Sequence, residues 1–254
     1  MFSFFKKLKD KSVISGAEKA PLRHLGIIMD GNGRWATARG LMREAGHRSG
    51  AETFKRVVEH CIDRDIELVT VYAFSTENWK RPAREVEGII KLLVEYLEEG
   101  ISGGREKNSR VRFIGDRTRF SPEVQALMSE AEEKSKDFSH SLNVALNYGG
   151  RADIVTAVNK LIREGKSEVS EKDISDALYT YGQPDPDLII RTGGEYRLSN
   201  FLTWQSAYSE LWFTPKLWPD ITSEDIDEAL NFYASRQRRF GDVAPKNTPS
   251  EDIK

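Results

Sequence analysis

The sequence has little cysteine, no long apolar run and almost no excess of charge of either sign. Its single cysteine, Cys61, cannot pair within the chain, which excludes a disulfide framework and favours a reducing, cytoplasmic compartment. Because Cys61 falls in an apolar helical pattern, we expect a buried thiol rather than a nucleophile. No stretch approaches the roughly 20 apolar residues that a membrane span requires. Lysine and arginine total 38 against 40 acidic residues, a formal charge of -2, so a nucleic-acid partner is not indicated.

The two terminal segments lack the pattern of a packed domain. Residues 1–20 begin MFSFFKKLKDK, whose apolar part is too short for a signal peptide, and we expect a flexible N-terminal segment. Phe2, Phe5 and Leu8 share one helical face among lysines, which permits weak peripheral contact with the inner face of an anionic membrane. Residues 242–254 are polar, have no apolar period and are expected to be disordered. Residues 21–241 are then the folded domain.

Six apolar runs have the length of strands, and helical periods separate them. The runs are LGIIM (25–29), ELVTVYAF (67–74), RVRFIG (110–115), SLNVALNY (141–148), DLIIR (187–191) and ELWFT (210–214). Helix start signals lie at Ser121-Pro122 and in the capping motif SEKD, residues 170–173. This alternation predicts a single α/β domain with a central, mostly parallel six-stranded sheet flanked by helices. Ligands of such sheets bind beyond the carboxyl ends of the strands.

Four of the predicted strands are followed by similar polar segments. These are DGNGR (30–34), STENWKR (75–81), NYGGR (147–151) and RTGGEYRLSN (191–200), which share glycines, arginines, hydroxyls and amides. Arginine forks and backbone N–H groups suit a diphosphate, each charge-assisted bond contributing roughly 1.5–3 kcal/mol. Because parallel strands end at one edge, the four segments predict a single diphosphate-binding site.

The first loop partly matches other phosphate-binding motifs, and particular residues exclude each of them. GNGRWA matches G-x-G-x-x-A, but Ser75 and Thr76 replace the acid that a dinucleotide fold needs after its second strand. Ile28 stands where a haloacid-dehalogenase phosphatase has its nucleophile, and no lysine–hydroxyl pair completes a P-loop. The four histidines lack the spacing of a zinc site.

Asp30 remains as an acid among groups that suit anions. A carboxylate beside a diphosphate requires a bridging divalent cation, and Mg²⁺ takes one or two carboxylates plus phosphate oxygens. A second acid is therefore expected nearby, with Glu210 as the best candidate, although its spacing alone favours a surface charge at the end of a helix or strand.

Several long motifs point to one family. They are HLGIIMDGNGRWA, GHRSGAE, VYAFSTENWKRP, NYGGRADI, DPDLIIRTGGEYRLSNFLTWQSAYSELWF and SRQRRFG. In order and spacing, from about Pro21 to Gly241, the chain resembles the cis-prenyltransferases. The resemblance implies a transferase that condenses isopentenyl diphosphate onto farnesyl diphosphate. The implied product is a long-chain (undecaprenyl) diphosphate for the lipid carrier of cell-wall glycans. It further implies Mg²⁺ without a D-D-x-x-D motif, a homodimer, and a hydrophobic tunnel for the growing chain.

Residue roles are implied by the same motifs. Asp30 would engage Mg²⁺ and the diphosphates, Glu210 would be the second metal-side acid, and Asn78 would assist proton removal. The allylic diphosphate would bind Gly31, Asn32, Gly33, Arg34, Arg43 and His47, with Trp35 at the helix start. Ser75, Thr76, Glu77 and Arg81 belong to a mobile catalytic loop, and Phe74 and Trp79 would line the allylic side. Arg191, Arg197 and Ser199 would clamp isopentenyl diphosphate, Glu195 would lie at the dimer and substrate face, and Arg239 would reach the partner's site.

The product and the role of the chain stay open to two alternatives. His140 stands where an apolar residue is common, and near a tunnel floor it would shorten the product. A short- or medium-chain synthase is therefore an alternative. A noncatalytic partner subunit is a second alternative, which Asp30 and the retained arginines argue against. The helical face with Ile89, Leu93 and Leu97 is a candidate tunnel wall, and core packing is its other interpretation.

Overall fold

A six-stranded, fully parallel sheet forms the middle of the structure, a computed structural model that describes residues 21–102 and 109–236. Its strands are β1 (His24–Ile28), β2 (Leu68–Ser75), β3 (Arg110–Ile114), β4 (Ser141–Tyr148), β5 (Leu188–Arg191) and β6 (Glu210–Phe213). The strand order is β3-β4-β2-β1-β5-β6, and every neighbouring pair is parallel. The predicted α/β class and all six strands are confirmed. The predicted terminal segments 1–20 and 242–254 lie outside the described residues.

Helices connect the strands and cover both faces of the sheet. The α-helices of the described ranges are α1 (Asn32–Ala38), α2 (Arg43–Asp63), α3 (Ala83–Ile101), α4 (Pro122–Ser135), α5 (Gly150–Arg163), α6 (Glu171–Ala177) and α7 (Ser223–Ser235). The predicted start signals are confirmed, because Ser121 caps α4 and a Ser170–Asp173 capping box begins α6. Within 21–102 and 109–236, no helix is long and apolar enough to cross a bilayer.

The core lies on both faces of the sheet. Leu25 and Ile27 of β1 pack in one buried cluster with residues of α2 and α7, including Cys61. Ile28 points to the other face, as the alternation of strand side chains requires, and joins the cluster with Phe201. Burial raises the pKa of Cys61 to about 12, so the thiol stays protonated, as expected of a core residue.

The strand order places one crevice at the carboxyl edge of the sheet, meaning the end at which all six strands finish. β1 pairs with β2 on one side and with β5 on the other, so the chain leaves β1 and β5 in opposite directions. Parallel sheets bind ligands at such a reversal. Asp30 follows β1 here, and Arg191 is the last residue of β5.

A buried polar network ties three strands together at the opposite end of the sheet. His24 donates from Nδ1 to the Pro184 carbonyl (2.7 Å), so its Nε2 accepts from the Thr70 hydroxyl (2.7 Å). Asn143 donates to the same hydroxyl oxygen (3.1 Å). Because His24 is only 1% exposed, burial lowers its pKa to about 4.

This network makes stability depend on pH in a defined direction. The unfolded chain protonates His24 near its ordinary pKa, whereas the folded protein resists protonation down to about pH 4. The unfolded state therefore binds more protons, so His24 contributes stability above about pH 6.5 that is lost between about pH 6.5 and 4, up to about 3 kcal/mol. We expect His24→Gln to flatten this part of the pH dependence of the unfolding free energy, measured by urea denaturation. Identical slopes for the two proteins would contradict the assignment.

Candidate active site

At the carboxyl edge, the Asp30 carboxylate lies between two arginines. Its Oδ1 is 3.0 Å from Nη2 of Arg34, and its Oδ2 is 2.9 Å from Nη2 of Arg191. The side chain of Arg191 is only 4% exposed, whereas 31% of the Asp30 side chain is open to solvent. A ligand can therefore approach the carboxylate from outside while the buried guanidinium holds it from behind.

Arg191 also fixes the segment that follows β5. Its Nη1 donates to the Ser199 hydroxyl (2.7 Å) and to the Arg197 carbonyl (2.5 Å). Ser199 and Asn200 have positive φ values of 48° and 66°, so both occupy left-handed backbone conformations that non-glycine residues seldom adopt. Nε of Arg191 is buried without a partner among the described residues. The structure thus brings Arg191 together with the Ser199 side chain and with the backbone of Arg197.

The loop after β1 is packed closely against α2. A side chain at Gly46 of α2 would place its Cβ 2.0 Å from the Asn32 carbonyl oxygen, and one at Gly50 would meet Asn32 Oδ1 at 2.2 Å. Both glycines therefore permit this close approach. Oδ1 of Asn32 has no hydrogen-bond partner among the described residues, which leaves a buried acceptor beside the loop. Gly31 has a φ of 115°, which explains why glycine stands between Asp30 and α1.

Three basic side chains meet on a residue that sequence reasoning missed. Glu85, in the first turn of α3, accepts from Nε of Arg43 (3.0 Å), Nη1 of Arg81 (3.1 Å) and Nε2 of His47 (3.2 Å). Burial alone would raise the pKa of Glu85, but the hydrogen bonds from Arg43 and His47 outweigh it and hold the pKa below its ordinary value. Burial lowers the pKa of His47. One feature of the sequence could have pointed to Glu85: Arg81 stands four residues before it at the start of a helix, a spacing that favours an ion pair.

The predicted catalytic loop is a 3₁₀ turn, Thr76–Lys80, directly after β2. Asn78 accepts through Oδ1 from the Ser75 backbone N–H (3.0 Å), so its side chain caps the turn. Thr76 donates to Glu77 (3.0 Å), and Asn200 donates to the other Glu77 oxygen (3.3 Å). The loop therefore contacts the segment after β5.

Aromatic residues of the site lie in different surroundings. Trp79 packs against Phe74, with ring centroids 5.0 Å apart, and donates to Asn147 Oδ1 (2.8 Å). Trp35 lies on the other side of the loop, where its Nε1 donates to Asp220 (2.7 Å) beneath the Arg39 guanidinium.

Glu195, Arg197 and Glu210 are distributed unevenly around this edge. Arg197 is exposed and donates to Glu195 (2.5 Å), beside the Arg191 cluster. Glu210 opens β6 in register with Leu188, at the amino end of the sheet, and pairs with Arg236 (3.1 Å). The expectation that Glu210 approaches Asp30 is therefore wrong within one chain, because a strand's first residue lies far from the carboxyl edge. Arg239 lies outside the described residues.

A cavity of about 270 Å³ begins beside this polar edge and continues between the sheet, α2 and α3. Asn32 and His47 line it at the edge, and the rest of the lining is mostly apolar. That lining includes Met29, Phe54, Val58, Phe74, Ile89, Leu93, Leu97, Phe113, Phe138 and Leu142. Trp79 and His140 are not among the lining residues, and His140 instead pairs with Asp65 (3.4 Å). His140 therefore does not form the cavity floor.

The residues at the edge fit a magnesium ion shared with a phosphate ligand. Among the described residues, no three His, Cys, Asp or Glu side chains cluster as an all-protein metal site. Mg²⁺ commonly binds through one or two carboxylates together with substrate phosphates. The partly exposed Asp30 carboxylate, with cationic neighbours for the phosphates, is a donor set of that kind.

The comparisons with known proteins agree on one family. Residues 28–241 match the family model described as putative undecaprenyl diphosphate synthase. The chain is 46% identical over 252 residues to the isoprenyl transferase of Clostridium perfringens, covering 96% of this chain and 100% of that protein. It is 51% identical over 228 residues to the isoprenyl transferase of Heliobacterium mobile, covering 87% and 88% of the two chains.

Solved structures are similar over nearly the same length. The lavandulyl diphosphate synthase from Lavandula x intermedia, in complex with dimethylallyl diphosphate, aligns with a TM-score of 0.81 at 34% identity, covering 87% of this chain and 98% of that one. A probable undecaprenyl diphosphate synthase from Campylobacter jejuni aligns with a TM-score of 0.74 at 33% identity, covering 88% and 100%.

Proposed function

The chain belongs to the prenyl transferase family of the putative undecaprenyl diphosphate synthases, and from that premise we propose that it elongates farnesyl diphosphate with isopentenyl diphosphate. The proposed product is a long-chain cis-polyprenyl diphosphate, the precursor of the lipid carrier for cell-wall glycans. In each cycle the allylic C–O bond breaks, and the diphosphate leaves with the electron pair. C4 of the isopentenyl double bond forms a new C–C bond to the allylic carbon. A proton then leaves C2 of the isopentenyl unit, and its electron pair forms the new C2=C3 double bond.

One observation carries the proposal: a cationic edge opens into an apolar cavity. Asn32 and His47 belong both to the edge and to the cavity lining, while Phe74, Ile89 and Leu93 continue the lining inward. A prenyl diphosphate has the same division, with a charged head and a hydrocarbon chain. Burial of the chain would stabilise binding by about 25 cal/mol per Å² of apolar surface.

The residues of the Asp30 loop (residues 30–34) and of α2 are proposed to bind the allylic diphosphate. Arg34 and Arg43 donate charge-assisted hydrogen bonds, which strengthen as negative charge develops on the departing group. Asp30 would hold Mg²⁺, which when bound supplies positive charge to neutralise that diphosphate. The apolar lining would exclude water from the allylic carbon while it carries positive charge.

The other diphosphate is proposed to bind on the β5 side. Arg191 lies there, fixed by Asp30 and Ser199, and the exposed Arg197 side chain lies in the same segment, where it is proposed to complete the clamp. Asn78 and Ser75 of the catalytic loop would approach the isopentenyl unit and assist loss of its proton. Glu210 and Arg239 are proposed to act across a homodimer, since Glu210 is distant from Asp30 in its own chain.

Incubation of the purified protein with farnesyl diphosphate, labelled isopentenyl diphosphate and Mg²⁺ tests the proposal. We expect a long-chain product, sized by reverse-phase chromatography after dephosphorylation, and none with EDTA. Asp30→Asn keeps the shape of the side chain and removes its charge, so turnover should fall by about 100-fold or more. Asp65→Asn, at an exposed turn, is the matched control and should retain wild-type turnover.

The outcomes separate the alternatives. A product only one or two units longer than the starter would make the protein a short-chain synthase. No product under any condition would contradict the proposed activity and favour the noncatalytic partner subunit. Wild-type turnover by Asp30→Asn would contradict the role of Asp30.

Arg197→Ala separates the two diphosphate sites. Loss of one charge-assisted contact should raise the Michaelis constant for isopentenyl diphosphate roughly tenfold, because such a contact contributes about 1.5 kcal/mol or more. The constant for farnesyl diphosphate should change less than about twofold, since Arg197 lies on the β5 side. Steady-state kinetics of this variant beside Arg163→Ala, an exposed arginine of α5, provide the measurement. An equal rise in both constants would show that the two sites are assigned wrongly.

A further inference from the structure

Glu85 is the meeting point of three segments that surround the proposed allylic site. Arg43 comes from the first turn of α2, His47 from its second turn, and Arg81 from the end of the catalytic loop. All three side chains bind the one carboxylate, at distances between 3.0 and 3.2 Å. The Glu85 side chain is only 8% exposed.

Burial distinguishes this contact from the other ion pairs between α2 and α3. Arg48 pairs with Glu95 (3.0 Å), Arg84 with Glu44 (3.2 Å) and Lys55 with Glu99 (2.8 Å), and in each of these pairs the acidic side chain is more than a third exposed. Exposed pairs of this type contribute little to stability. A buried carboxylate, in contrast, is tolerated only when its hydrogen-bonding capacity is satisfied, as three donors do here.

Two of the three basic groups held by Glu85 lie beside the loop that is proposed to bind diphosphate or beside the cavity next to it. A Cβ built on Gly33 would lie 2.5 Å from Cζ and 2.8 Å from Nη1 of Arg43, so the guanidinium rests directly on the loop. Arg43 uses Nε and Nη2 for Glu85, which leaves the N–H groups of Nη1 for another acceptor. His47 lines the cavity together with Asn32.

We propose that Glu85 is a positioning residue for the allylic diphosphate. It orients Arg43 so that the N–H groups not bound to the carboxylate lie beside Gly33, it holds His47 at the cavity, and through Arg81 it joins the catalytic loop to α2. The inference rests on the proposed function, because it assigns the allylic diphosphate to this side of the edge. Glu85 has two alternative roles. It could be a purely structural contact between the helices, without effect on the ligand, or an internal anion that competes with the diphosphate for the arginines.

Glu85→Gln tests the proposal because it removes the charge and keeps the size of the side chain. Glu95→Gln is the matched control, since it breaks an ion pair between the same two helices away from the cavity lining. Glu85→Asp keeps the charge but shortens the side chain, so it tests for partial rescue. For each variant we would measure the melting temperature, both Michaelis constants and kcat. Calorimetric binding of farnesyl diphosphate in Mg²⁺ buffer, without isopentenyl diphosphate, completes the set.

The expected pattern is selective for one substrate. Glu85→Gln should weaken farnesyl diphosphate binding and raise its Michaelis constant roughly tenfold, about 1.4 kcal/mol, with less than a twofold change for isopentenyl diphosphate. Glu85→Asp should fall between this variant and wild type, and Glu95→Gln should match wild type. If Glu85→Gln does not fold, the same selective change in Glu85→Asp decides the question.

Other outcomes overturn the assignment. Unchanged binding, or equal changes for both substrates, would make Glu85 a structural tie only. Tighter binding of farnesyl diphosphate would identify a competitor for the arginines. If wild type binds farnesyl diphosphate but forms no product, the proposed elongation fails, whereas the calorimetric comparison of the Glu85 variants still decides this inference.

Discussion

The ion pair between Asp30 and Arg191 is the contact on which the carboxyl edge depends. It joins the ends of β1 and β5 at the crevice where the chain leaves the sheet in opposite directions. Arg191 is buried, whereas the Asp30 carboxylate is partly open to solvent, so this contact compensates a buried charge from the solvent side. The same guanidinium holds the Arg197 carbonyl and the Ser199 hydroxyl. One charged contact therefore organises the first loop and the segment after β5 together.

The balance of charges at the carboxyl edge explains why this edge suits a diphosphate that is bound together with a divalent cation. Asp30 offsets part of the charge of Arg34 and Arg191, and Glu85 offsets part of that of Arg43 and Arg81. Both carboxylates are thus shared between arginines, and the local excess is positive. The same edge opens into the apolar cavity beside α2. A ligand that satisfies both environments must combine an anionic head with a hydrocarbon chain, which is the physical basis of the proposed substrate class.

Much of this arrangement follows from the sequence, because periodicity and strand ends are local properties. β4 was predicted with its observed bounds, Ser141–Tyr148, and the fold class with its six strands is confirmed. Glu210 shows where the same reasoning failed: a second acid was sought by residue type, although the first residue of a parallel strand lies at the wrong end of the sheet.

Long-range contacts account for the remaining differences. Glu85 was missed because its importance arises from burial and from partners 42 and 38 positions away, neither of which has a periodic signature. The sequence left open whether His140, just before β4, lies near a tunnel floor, and its side chain turns toward Asp65 instead. Side-chain direction at a strand entrance depends on neighbours from other elements, and these are set only by the folded chain.

A crystal structure with Mg²⁺ and a non-hydrolysable thiolo analogue of farnesyl diphosphate would show whether the polar edge and the cavity form one site. We expect the diphosphate against Gly31, Gly33 and Arg34, the metal at Asp30, and the farnesyl chain between α2 and α3 along Phe74 and Leu93. A diphosphate bound elsewhere, or a farnesyl chain that lies outside the cavity, would show that the edge and the cavity are separate.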